Sequence, residues 1–243
     1  MNTLTETRAS VCSLLRLTAL VTALSLSSIA FAAASLNLAP GFSSLEKGAT
    51  VVIMPPDVEL FSISGGGVSE PKADWTETAT GYIINELRRK SDVLGMKNVA
   101  LSEKDADDLA EINTLHAAVA QSIALHHFQG GNFSLPTKGG QLDWSLGEAV
   151  GPIHQTSGAD YALFVWIRDS YASAERKAAM VALAMLGVGI PGGFQVGYAS
   201  LVNLHTGQIL WFNRLIRGTG DLRTATDAAE TVQELLSQFP RSQ

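Results

Sequence analysis

Residues 158–169 read GADYALFVWIRD. From Tyr161 to Ile167 every residue is apolar, so both faces of an extended segment would be apolar. The run is too short for a buried helix, and β-branched and aromatic residues dominate it. A strand that is apolar on both faces belongs at the centre of a sheet. The charges that bracket it, Asp160 on one side and Arg168 and Asp169 on the other, read as the points where the strand reaches water. The ends of such strands are also where α/β proteins keep their sites.

Upstream, ATVVIMPPD gives a buried strand from Thr50 to Met54, stopped by Pro55 and Pro56, which cannot donate to a ladder. A loop with Gly65, Gly66 and Gly67 follows. Next comes a helix that repeats Trp75, Ala79, Tyr82, Ile83 and Leu87, with Asp74 and Glu77 as a capping-box variant. NVALS (98–102) is a short second strand. Ser102 opens a long helix to Phe128, with Leu109, Ile112, Leu115, Val119 and Ile123 on its apolar face and acidic residues at its positive end. A Gly-rich link leads to a helix from Asp143 to Thr156, ending at Gly158.

Downstream, FQVGYASLVNLHTGQILWFNRLI is two apolar runs joined by His205, Thr206 and Gly207. Glycine in so short a connection supplies the positive φ of a hairpin. The last element repeats Leu222, Ala225, Ala229, Val232, Leu236 and Phe239 at helical spacing. The expected fold is α/β: one mixed β-sheet with helices packed on it, closing on a C-terminal β-hairpin and then a helix.

The ends set the boundaries. Arg8 and Arg16, an apolar stretch from Leu17 to Phe31, and Ala30-Phe31-Ala32 form a secretory leader over 1–32, with a second cut two residues on. An N-terminal extension, 33–48, then precedes a single domain over 49–240 that carries an apolar insertion at about 170–194. The only cysteine, Cys12, precedes the apolar stretch, so the chain lacks a standard lipoprotein box and loses its one thiol on processing. An exported, periplasmic location follows, with outer-membrane association left open. A net charge of −6 with no basic run excludes a nucleic-acid partner.

The element order, VVIMPP, GADYALFVWI and above all LVNLHTGQILW (201–211) resemble the α/β domain shared by the envelope accessory proteins CsgG, LpoB, PelC and the amino-terminal domain of TolB. In this hairpin Asn203 and Gln208 stand where acids are usual. The resemblance covers roughly Ala49 to Phe239. It implies a non-enzymatic accessory role in secretion, polysaccharide export or peptidoglycan work, exerted through protein contacts with an envelope partner or as a homo-oligomer.

Catalytic motifs do not assemble. SISGGGVSE lacks the Lys-Ser/Thr of a phosphate cradle, and no Gly-x-Ser-x-Gly elbow occurs. Ser44 with Lys47, and Ser69 with Lys72, have the spacing of a penicillin-recognising serine but no Ser-x-Asn element follows. His116 has no second ligand four residues on, and His126 and His127 are adjacent, so no metal is expected. His116 reads as a hydrogen-bonded, partly buried residue on an apolar face, and His154 and His205 as exposed. No catalytic, cofactor or metal residue is assigned, and no cofactor is expected. A small-ligand or glycan-binding module using the Gly-rich loops, an enzyme with an unrecognised site and a pore-forming assembly remain as alternatives.

The candidate contact is the insertion itself, AERKAAMVALAMLGVGIPGGFQ (174–195). No Lys, Arg, Asp or Glu occurs from Ala178 to Asn213. The apolar run Ala178–Ile190 is about 20 Å long as a helix, against roughly 30 Å for a bilayer crossing. It is apolar all round and must be covered. Its own core, a subunit or partner surface and shallow membrane insertion are the three ways. The expectation is cover by protein, with Met180, Ala182, Leu183 and Leu186 as the contact.

Overall fold

The computed structural model describes residues 35–94, 97–218 and 220–241; the leader and its cut lie outside the described residues. Strand β5 (Tyr161–Ala172) is the centre of a mixed sheet. On one side run β1 (Thr50–Ile53) and β2 (Asp57–Ile63), both parallel to it. On the other lie β6 (Gln195–Asn203) and β7 (Ile209–Arg217), an antiparallel hairpin. Beside β1 and β2 stand β4 (Lys97–Val99) and β3 (Ser69–Pro71).

The first strand stops at Ile53, just before Met54, Pro55 and Pro56, as its sequence suggested, and a second strand resumes at Asp57. Ile53 pairs with Leu163 and Asp57 with Trp166, so Met54, Pro55 and Pro56 stand opposite only Phe164 and Val165. The prolines occupy a bulge between two collinear strands, a position that asks for no N–H. Strands β2 and β3 therefore replace most of the loop expected around Gly65–Gly67.

Helices cover both faces. Helix α1 (Ala73–Val93) and the last helix, α6 (Ala225–Leu235), bury Ala79, Ile83, Leu87, Ala228 and Val232 against Leu163, Val165, Ile167 and Trp211. On the opposite face Leu109, Ile112, Ala120 and Ile123 pack on Val52, Ala162, Phe164 and Phe212. The long helix expected from Ser102 is broken at Leu109 into α2 (Glu103–Asp108) and α3 (Ala110–Ile123), and a π-helical turn, Ala124–Gln129, follows. Its buried stripe includes His116 and Ala120, while Leu115 turns to solvent.

Two local expectations are corrected. Helix α1 begins after Lys72 without a side-chain cap, so Asp74 and Glu77 form no capping box. The helix from Asp143 starts later, as a 3-10 turn at Gly147–Val150 and then α4 (Gly151–Ser157). The backbone before it is already engaged with the hairpin: Leu146 N–H donates to Gly207 O and Ile209 N–H to Trp144 O, both at 2.9 Å. Gly158 ends α4 at φ +66°, as expected. Residues 37–39 pair with β7, with Ala39 N–H on Leu210 O (2.9 Å) and Phe212 N–H on Asn37 O (3.0 Å), covering the first part of that edge.

Candidate functional site

The two groups of residues singled out in the sequence lie at opposite ends of β5. His205, Thr206 and Gly207 join β6 to β7 near Tyr161, because Asn203 pairs with Tyr161. The insertion leaves from the other end, after Ala172.

The hairpin turn is a structural device. Asn203 Oδ1 accepts the N–H groups of His205 (2.9 Å) and Thr206 (3.1 Å), and Gly207 N–H closes the turn on Asn203 O at 2.8 Å. Gly207 has φ +72°, and a Cβ there would lie 2.1 Å from Gly147 O. His154 and His205 are in ring contact at 4.4 Å, with His205 Nε2 3.7 Å from Asp160 Oδ1. Asp160 accepts from Thr50 N–H (2.8 Å) and Thr50 Oγ1 (2.7 Å), bonds that hold its carboxyl below the usual range. His126, His127 and His154 each bond a backbone carbonyl through one ring nitrogen. His116 is buried completely rather than partly, at 2% exposure, stacked on Phe164 with its Nε2 2.8 Å from Ser200 Oγ. Burial pushes its pKa down to about 3, so the ring is neutral. Among the described residues no group of three or more His, Cys, Asp or Glu could hold a metal.

At the other end, Asp169 is not a flank reaching water. Strand β5 runs on to Ala172 and leaves Asp169 2% exposed. Register places Asp169, Gln195 and Arg217 side by side on three strands. Gln195 Nε2 donates to Asp169 Oδ2 (2.8 Å), Arg217 Nε to Gln195 Oε1 (2.9 Å) and Arg217 Nη2 to Thr231 Oγ1 of α6 (2.6 Å). The Tyr171 hydroxyl donates to Asp169 and accepts Leu222 N–H. Burial raises the Asp169 pKa and its hydrogen bonds partly offset that. With every polar partner engaged, this ladder ties α6 and its leading loop to the sheet.

Helix α5 (Ala174–Ala184) rises directly beyond this ladder. Ser173 caps it, its hydroxyl accepting Arg176 N–H at 3.2 Å. It contains no buried residue, which overturns cover by the protein's own core. Met180 and Leu183 are half-buried, whereas Ala182 is exposed and Val181, Met185 and Leu186 are 62%, 78% and 78% exposed. The return loop is held by Arg176, whose Nε and Nη2 donate to Pro191 O at 3.1 and 2.9 Å. A fixed helix therefore presents an apolar side to solvent. The helix ends at Ala184, after which Gly187 turns the chain at φ +79°.

Sequence reasoning missed a groove of about 650 Å³ on the sheet face that carries α3. At about 21 Å, α3 is roughly half the length of β5, and it covers Ala162 and Phe164 but leaves Trp166 and Arg168 half-buried. A cross-strand row runs through the groove, with Trp166 and Tyr198 in the floor and Arg214 at the edge. The Trp166 and Tyr198 rings stack at 5.1 Å. Arg168 lies over Trp166 at 4.5 Å and is bound by Asp57 (2.7 Å) and Glu59 (3.2 Å). Leu125 and Gln129 of the π-helical turn form one wall. The alternation Trp166, Arg168 on one face of β5 was the visible signal, but only the register of three distant strands assembles the row.

No family model matches the chain, and no curated protein matches it. Among solved structures the chain is similar to the PelC dodecamer from Paraburkholderia phytofirmans, with 15% identity, a TM-score of 0.35 and coverage of 83% of this chain and 96% of that one. It is similar to lipoprotein GNA1162 from Neisseria meningitidis, with 14% identity, a TM-score of 0.31 and coverage of 69% and 81%. It is also similar to the LpoB C-terminal domain from Salmonella enterica, with 13% identity, a TM-score of 0.28 and coverage of 73% and 86%.

Proposed function

We propose that this chain is a non-enzymatic accessory protein of the cell envelope that acts through protein–protein contacts, as a homo-oligomer or with an envelope partner, and that α5 is the contact. The observation that carries the reading is α5 with the turn that follows it, held in place by Ser173 and Arg176 yet exposing Val181 on the helix and Met185 and Leu186 just past its end. Contiguous apolar surface of this kind is seldom left in water. The leader-like N-terminus and the hairpin pattern support the envelope location. No described helix is long and apolar enough to cross a membrane, and α5, with 11 residues, is about half the length that a crossing requires.

Size-exclusion chromatography with light scattering on the mature chain, with and without detergent, tests this, using Met185→Asp/Leu186→Asp as the comparison. A defined assembly that the double variant dissolves, at unchanged melting temperature, supports self-association. A monomer that binds liposomes through α5 makes the helix a membrane element and overturns the reading.

A further inference from the structure

We propose that the groove over Trp166, Tyr198 and Arg214 is a binding site for a small amphipathic organic anion, a molecule with a carboxylate or phosphate head and an apolar body. This goes beyond α5 and is independent of what covers that helix. Three observations converge. The volume, about 650 Å³, lies within the range that holds small ligands, roughly 300–1,000 Å³. The floor is apolar and flat where Trp166 stacks on Tyr198, and Val196 and Ile216 extend it along the neighbouring strands. The charge is asymmetric: the guanidinium of Arg168 is taken up by Asp57 and Glu59, whereas Arg214 is in no ion pair among the described residues. Arg214 is half-buried and lies over the Phe128 ring at 5.0 Å, which fixes it at the groove's edge.

A cation next to an apolar floor recognises a molecule with the matching division. The head meets the Arg214 guanidinium, which offers a fork of N–H donors to a carboxylate or phosphate, and the body covers Trp166 and Tyr198. A neutral molecule of the same body would leave Arg214 partly desolvated and unpaired, and inorganic phosphate would forgo the apolar contact.

Isothermal titration of the mature chain with decanoate, decyl phosphate, decyl glucoside and inorganic phosphate, each kept below micelle formation, tests the site. Both decyl anions should bind at least about tenfold more tightly than decyl glucoside, and inorganic phosphate should not bind measurably. Whichever anion binds more tightly assigns the head group. Arg214→Gln should bring the anions down to the affinity of the glucoside, and Tyr198→Ala should weaken all three decyl compounds. Because Arg214→Gln could disturb the fold, Ile216→Glu is the second variant. Ile216 is 62% exposed and two residues along the same strand face, so its replacement leaves the core intact while placing a carboxylate beside Arg214. It should weaken the anions at least about tenfold more than the glucoside, which loses only the apolar contact of Ile216. Equal affinity for glucoside and anions, anion binding unchanged in Ile216→Glu, or no binding of any decyl compound overturns the proposal.

Discussion

Acidification should unfold this protein through one residue, His116. Its ring is buried against Phe164, and its pKa falls from 6.5 to about 3. The folded state therefore binds fewer protons than the unfolded state between these values, so stability is full above pH 6.5 and is lost as the pH falls toward 3. Well inside that window each pH unit removes about 1.4 kcal/mol, which amounts to about 2 kcal/mol by pH 5 and roughly 5 kcal/mol across the whole window. That is the size of a typical domain's entire margin, about 5–15 kcal/mol. Asp160 and Asp221, whose carboxyls are held low by hydrogen bonds, lose stability only below the usual carboxylate range. Asp169, raised by burial, acts with the opposite sign and gains as the pH falls through its pKa. Urea unfolding of the wild type and His116→Gln from pH 7 to pH 4.5 measures the term. The other four histidines are common to both proteins, so the difference between the two slopes isolates His116. The wild type should lose about 2 kcal/mol between pH 7 and pH 5 that the variant does not lose. Parallel slopes would refute the reasoning.

Asp169→Ala should cost roughly 3 kcal/mol in denaturant unfolding, because it strands the Gln195 amide N–H and the Tyr171 O–H in a buried place. A loss under about 1 kcal/mol would show that the ladder is dispensable. Gly207→Ala, at φ +72° and against Gly147 O, should lower stability by at least about 2 kcal/mol and thermal melting by several degrees. Ala182→Asp, at an exposed position on α5, should change stability by no more than about 0.5 kcal/mol while weakening assembly in light scattering. Intact-mass measurement of the exported protein should find a start near Ala33–Ser35, with Met1 and Cys12 gone.

Local pattern carried the parts of the fold that are locally determined. Strand β5 and the β6–β7 hairpin have periods and turn residues that no tertiary contact overrides, whereas the buried stripe of α6 runs through Ala228, Thr231, Val232 and Leu235 and leaves Ala225 exposed. Strand β2 carries a legible alternation, with Val58 and Leu60 buried between Asp57 and Glu59, but two prolines look like a stop when a bulge lets the chain resume. The stripe on α3 shifted toward His116 because that ring stacks on Phe164, a partner 48 positions away. The Asp169–Gln195–Arg217 ladder and the Trp166–Tyr198–Arg214 row exist only through register between three strands, which no single window contains. For α5 the sequence states how apolar the helix is, and within one copy of the chain none of its residues is buried.

The central claim is that protein covers α5, and photo-crosslinking inside intact cells tests it most directly. A benzophenone amino acid replacing Leu186, at 78% exposure, leaves the fold undisturbed and reports what lies against it. The predicted result is one discrete adduct of the chain with a protein, either a second copy or a single envelope partner, that disappears when Met185→Asp is added. Adducts to phospholipid, or no adduct at all in exporting cells, would contradict the claim.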